Sequence, residues 1–206
     1  MNITSDKHLI SILVVLLVLS SFTLEAQSKI LTNANSNFKI GVEFGGGYGF
    51  KLRSTNKLEG DYSSSGMNYT LRLKWGLGNI FGAGIETGYI AISSLKSTSQ
   101  VTPLGVTDIS ASLNAIPALF IVTAQYANLQ LFTGLGYYNV MSTSTVFNST
   151  IESSEWDFGY LVSLGYAYPI NSTYKIGAEI RVNNISEVQI TNLSAQLKLM
   201  VKLFEW

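Results

Sequence analysis

Residues Tyr69–Leu77 read Y-T-L-R-L-K-W-G-L. Tyr69, Leu71, Leu73, Trp75 and Leu77 share one side of an extended chain, and Thr70, Arg72, Lys74 and Gly76 share the other. Successive strand side chains point to opposite faces, so this stretch predicts a strand between two unlike environments. The same period recurs along the chain. Phe38, Ile40, Val42 and Phe44 alternate with Lys39, Gly41, Glu43 and Gly45, and Phe81, Ala83, Ile85 and Tyr89 oppose Gly82, Gly84, Glu86 and Gly88. Leu129, Leu131, Thr133, Leu135 and Tyr137 mark another strand, and Trp156 to Tyr168 alternates without a break. Tyr174, Ile176, Ala178, Ile180 and Val182 oppose Lys175, Gly177, Glu179 and Arg181, and Leu193–Leu203 carries Gln196, Lys198 and Lys202 on its polar face. Leu113–Val122 is more evenly apolar and holds Pro117, so alternation leaves its phase open. Eight strands are expected.

Their connections alternate in length. Arg53–Gly66, Ser93–Ile109, Met141–Glu155 and Asn183–Asn192 read as long polar loops, whereas Gly78-Asn79, Ala124–Asn128 and Pro169–Thr173 read as short turns. An even number of antiparallel strands with short turns at one end and long loops at the other is the pattern of an up-and-down transmembrane barrel.

A soluble barrel or sandwich also alternates, and three features favour lipid as the outer solvent. The polar faces are heavy in Gly (Gly41, Gly45, Gly82, Gly84, Gly88, Gly134, Gly136, Gly159, Gly165 and Gly177), which suits a crowded eight-strand interior better than a solvated sheet face. Aromatics stand near strand ends on the apolar faces, at Tyr69, Trp75, Phe81, Tyr89, Trp156, Tyr166 and Tyr168, as interfacial girdles require. The apolar faces almost lack charge, while the opposite faces carry both signs. The beginning of the chain points the same way. Lys7 and His8 precede the apolar run Leu9–Leu19, and Thr23-Leu24-Glu25-Ala26 follows it, the pattern of a secretory signal peptide cut between Ala26 and Gln27. The run is shorter than the roughly 20 residues a helical span needs. Residues 1–26 are expected to be the signal peptide and residues 27–206 one barrel domain.

Leu113-Asn114-Ala115-Ile116-Pro117-Ala118-Leu119-Phe120, followed by Leu131-Phe132-Thr133-Gly134-Leu135-Gly136, resembles the strand–turn–strand of PorT-type outer-membrane β-barrel proteins. The Asp157-Phe158-Gly159 strand and the aromatic end, Phe204 and Trp206, are similar too, and the resemblance extends loosely to OmpX- and OmpA-like eight-stranded barrels. It implies residence in the outer membrane, contact with its lipid, and insertion by the barrel-assembly machinery, which in such proteins reads an aromatic-ended last strand. Leu203 and Trp206 have opposite parity, so either the last strand is bulged or its terminal signal departs from the pattern.

Thirteen basic residues balance thirteen acidic ones, leaving no basic field for nucleic acid. The chain has no Cys, and its one His, His8, leaves with the predicted signal peptide. Imidazole triads, His-ligated metals and thiol catalysis are therefore not expected. No enzyme activity, cofactor or metal is expected. Gly45-Gly46-Gly47-Tyr48-Gly49 lacks the Gly-Lys-Ser/Thr of a phosphate loop and reads as strand glycine. Glu43, Glu86, Asp157 and Glu179 invite a cation site, but the polar faces also supply cations, and buried charges are costly unless paired. Glu43, Arg72, Lys74, Glu86, Lys175, Glu179, Arg181 and Lys198 are therefore expected to form a charge network inside the lumen, with Glu86 folded against Arg72 and Lys74. The expected function is a structural or interaction barrel that meets a surface partner through its loops. The alternative is a narrow pore or a ligand-binding, lipocalin-like barrel.

Overall fold

The computed structural model describes residues 38–52, 61–77, 80–102, 105–147 and 149–205. The predicted signal peptide and the Gly78-Asn79 turn lie outside them. Nine strands follow in order: β1 (Phe38–Lys51), β2 (Asp61–Ser63), β3 (Ser65–Leu77), β4 (Phe81–Thr102), β5 (Gly105–Tyr126), β6 (Leu129–Val146), β7 (Ser149–Pro169), β8 (Tyr174–Ile185) and β9 (Ile190–Glu205). β2 and β3 both pair with β4 and are separated by Ser64 alone, so they make one stave. Each stave is antiparallel to its neighbours, and β1 pairs with β9 to close an eight-stave ring.

The ladder sets the stagger of the ring. From Gly41 the pairings lead through Lys74, Gly84, Ile121, Gly134, Leu161, Asn183 and Asn192, and return to β1 at Lys51, ten residues further along. A shear of that size over eight staves tilts the strands by about 40° and leaves an interior just wide enough for side chains.

The inner face carries the polar alternates. The phase left open in β5 is settled by burial: Ala115, Leu119 and Ile121 point inward, while Phe120 and Val122 are exposed outward. The outer face of the staves is predominantly apolar. Along β7, Trp156, Phe158, Tyr160, Val162, Leu164, Tyr166 and Tyr168 are all exposed, with aromatics at both ends and aliphatics between. These twelve residue steps rise about 30 Å along the barrel axis at that tilt, which matches an apolar band about 25 Å tall with its girdles. An apolar surface of this extent would not persist in water.

Two long loops expected from the sequence are hairpins instead. β4 and β5 run on to Thr102 and from Gly105, and β6 and β7 to Val146 and from Ser149. There the sequence no longer alternates between apolar and polar residues, while the backbone ladder continues. Part of Arg53–Gly66 is likewise strand, at Asp61–Ser63 and from Ser65. The fourth connection is a turn of residues 186–189, where Gln189 adopts φ 51°. The arms are unequal: β7 bonds β8 only from Gly159 onward, so above that point β7 has β6 on one side and an open edge on the other.

The parity conflict near the end of the chain resolves as a bulge. Ile40 pairs with Phe204 but Gly41 pairs with Lys202, which leaves Leu203 as the extra residue.

Two outcomes test this architecture. Leu73→Arg and Val162→Arg, on the outer face of the band, should each lower folding stability in lipid by about 2–4 kcal/mol, whereas Ile151→Arg on the projecting arm should change it by about 0.5 kcal/mol or less. Within the glycine run, a Cβ on Gly47 would lie 1.9 Å from the Ala195 carbonyl oxygen, while one on the outward Gly46 would meet only the Tyr69 ring at 3.7 Å. Gly47→Ala should therefore reduce the folded, heat-modifiable fraction on a gel, and Gly46→Ala should leave it unchanged.

Candidate functional site: the charged lumen

Register brings the charges together. Glu43, Arg72 and Glu86 are successive cross-strand partners on β1, β3 and β4, all on the inner face. On the other side of β1, Lys198 of β9 pairs with Gly45, and Glu179 and Arg181 come from β8, the next stave beyond it. Arg72 is the centre. Its Nη1 and Nη2 donate to Glu179 Oε2 and Oε1 at 2.6 and 2.7 Å, spanning the lumen with a two-pronged bond. Its Nε donates to Glu86, and Nη1 lies 3.4 Å from Glu43 Oε2. Arg181 donates to the other oxygen of Glu86 and, at 3.2 Å, to Asn183 Oδ1. Lys198 donates to Glu179 and, at 3.2 Å, to Glu43. Lys74 bonds the remaining oxygen of Glu43.

Three carboxylates thus face four cations, and every one except Lys74 is buried. Removed from water, such charges are tolerable only when geometry and number match closely. Here each buried carboxylate meets at least two cations. The excess positive charge falls to Lys74, whose side chain keeps 20% of its exposure.

The sequence reading placed Glu86 against both Arg72 and Lys74. In the structure Arg72 and Arg181 hold Glu86, and Lys74 turns instead to Glu43 on the β1 side. Lys175 is not in the cluster: among the described residues it has no ion pair, and it lines a cavity of about 550 Å³ open at the short-turn end, with Lys39, Lys74, Lys202 and Glu205. It lies two residues along β8 from Gly177, the partner of Lys198, so its inward direction leads to the rim and not to the centre. Asp157 also lies apart, at the opposite end of the barrel.

Sequence reasoning missed half of the lumen. Phe132 is wholly buried on the inner face of β6, with Arg72 Cζ 4.3 Å and Lys198 Nζ 4.2 Å from its ring centre. Two desolvated cations on one ring add favourable electrostatics to the cluster. Behind it Ile90, Ile92, Leu119, Ile121, Tyr138 and Leu161 form an apolar core between β4 and β7. The one available signal was the outer face of β6, whose alternation places Phe132 on the side otherwise held by Gly134 and Gly136. Beyond Tyr138, whose hydroxyl reaches Asn183 Oδ1 at 3.3 Å, the interior turns polar again.

A double-mutant cycle tests the wiring. Glu86→Gln leaves both arginines short of a partner and should cost about 3–5 kcal/mol of stability in denaturant-unfolding measurements. Combining it with Arg72→Gln or Arg181→Gln should recover about 1–3 kcal/mol of the summed losses, whereas combination with Lys74→Gln should be additive. Equal coupling to Lys74 and Arg181 would contradict the observed pairing.

Comparison with known proteins agrees with this architecture. Residues 14–200 match the sequence family described as the outer membrane protein beta-barrel domain. No curated protein matches the chain. Among solved structures, a major outer membrane protein from Thermus thermophilus superposes with a TM-score of 0.53 at 10% identity, over 81% of this chain and 99% of that one. The attachment invasion locus protein Ail of Yersinia pestis gives 0.48 at 10% identity, over 82% and 99%. Neisserial surface protein A gives 0.45 at 13% identity, over 81% and 97%. At such identities the likeness is one of fold, and the family match, which spans most of the sequence, carries the assignment. The chain belongs to the outer membrane protein beta-barrel domain family and resides in the outer membrane.

Proposed function

We propose that this barrel is a structural or interaction protein of the outer membrane, with its lumen closed by its own side chains and its β4–β5 and β6–β7 arms presented to a partner outside the cell. The observation that carries the reading is the cross-lumen layer of Arg72, Glu86, Glu179, Arg181, Lys198 and Phe132, each 4% exposed or less. A pore needs a continuous water path at that level, and these side chains occupy it. Within the family we place the chain beside the PorT-type and OmpX- and OmpA-like small barrels. Its strand sequences support that choice, as does an aromatic last strand suited to the assembly machinery.

The reading is non-catalytic. The sequence after His8 offers no imidazole or thiol, and the buried carboxylates of the cluster are bound to cations, leaving none of them poised as a base. A narrow-pore or ligand-cup reading draws on the 550 Å³ cavity at the short-turn end, lined by Lys39, Lys74, Lys175 and Lys202. That cavity ends against Glu43 and Lys74, at the edge of the charge cluster.

Epitope insertion tests the orientation on which the interaction reading depends. A tag placed after Phe147 should be labelled on intact cells, and one placed at Asn171 should be labelled only after the outer membrane is opened. The reverse pattern would put the arms in the periplasm and remove the external partner.

A further inference from the structure

The hairpin end of the barrel holds a group that the lumen cluster does not use. Asp157 lies on the inner face of β7, one position above Phe158 and two above Gly159, where pairing with β8 begins at Ile185. It is fully buried, and neither carboxylate oxygen has a hydrogen-bond partner or, among the described residues, an ion pair. Glu155 follows on the same face of β7. Glu187 stands in the turn joining β8 to β9, which docks on β7 through Ser186 N–H donating to the Phe158 carbonyl at 2.9 Å. Carboxylate oxygens from Glu155, Asp157 and Glu187 all lie within 4.8 Å of one another. The four cations of the lumen are engaged by Glu43, Glu86 and Glu179, so none offsets this group.

A buried carboxylate without a partner is expensive, and two more anions beside it make it more so. Among the described residues a counter-charge is missing. The donors on offer are all oxygen, two of them on exposed side chains free to adjust. That set suits a hard cation of flexible coordination, which describes calcium better than magnesium with its strict octahedron. We propose that Glu155, Asp157 and Glu187 bind one calcium ion, which clips the β8–β9 turn to β7 at the point where the open edge of β7 begins. Asp157 supplies the buried anchor, and the two glutamates, exposed to solvent, close over the ion with water completing its shell.

The competing relief is a proton shared between Glu187 and Asp157. The two forms of relief differ in their response to metal.

The test uses the folded full barrel in detergent, stripped of divalent ions with chelator and titrated separately with calcium chloride and magnesium chloride by calorimetry. Wild type should bind one calcium ion per chain, with magnesium weaker by about tenfold or more, and calcium should raise its thermal unfolding midpoint. Glu187→Gln, on an exposed turn where folding is not at risk, should weaken calcium binding by at least about tenfold. Asp157→Asn should abolish binding, and in chelator it should unfold at a higher temperature than wild type, because it removes the uncompensated charge. Absence of saturable calcium binding by wild type, or equal binding by Glu187→Gln, would overturn the site. So would a chelated wild type whose midpoint rises on acidification while calcium leaves it unchanged, the behaviour of a shared proton.

Discussion

The bidentate bond from Arg72 to Glu179 crosses the lumen between β3 and β8, three staves apart around the ring, and the rest of the interior is arranged around it. Arg72 reaches the centre from β3 and Glu179 from β8, 107 positions apart in sequence. Once the guanidinium is there, its remaining edge needs an anion, and Glu86 supplies it from the neighbouring strand. Glu86 then has a second oxygen to satisfy, which recruits Arg181. Glu43 and Lys198 complete the circuit on the β1–β9 side, where the ring closes. Each addition answers a valence left open by the one before, so the cluster specifies register across five staves at once. A slip of one residue on any of them would turn a buried charge towards lipid.

Crowding decides what can surround the cluster. A shear of ten over eight staves brings inner backbones close, and the inward glycines mark where they touch. A Cβ on Gly136 would fall 2.2 Å from the Ala118 carbonyl oxygen, and one on Gly159 2.3 Å from that of Asn184. Space released by glycine on β1, β4 and β6 is filled by long charged side chains on one flank and by Phe132 and its aliphatic neighbours on the other. The interior is thus a packed core, half ionic and half apolar, inside a shell whose outer face is apolar as well. Its charge is also uneven along the axis: the short-turn end gathers lysines at its open cavity, and the hairpin end gathers the carboxylates of Glu155, Asp157 and Glu187.

The alternation of Tyr69–Leu77 and Trp156–Tyr168 made the staves legible, because lipid on one face and a polar lumen on the other impose a period of two. Members of the charge cluster were legible for the same reason: an inward Glu or Arg stands out on a face of glycine. Their exact partners were not. Pairing of Arg72 with Glu179 depends on the tilt and on distance across the ring, which no local pattern encodes, and Lys74 lost Glu86 to Arg181 for that reason. Hairpin lengths were also hidden. Ser93–Thr102 and Met141–Val146 lack the apolar–polar alternation of the staves, so they keep their ladders without keeping a pattern. Phe132 was overlooked because a single aromatic on a polar face carries no period at all. The bulge at Leu203 was visible as a parity conflict, and its resolution needed the partner strand.

Closure of the lumen by paired charge is the claim on which the account rests, and ion flow measures it directly. Purified monomer reconstituted in a planar bilayer should pass no steady current in its wild-type form. Steady, reproducible single-channel openings from that same wild-type monomer would show a continuous water path through the level of Arg72 and Glu179, and would contradict the account.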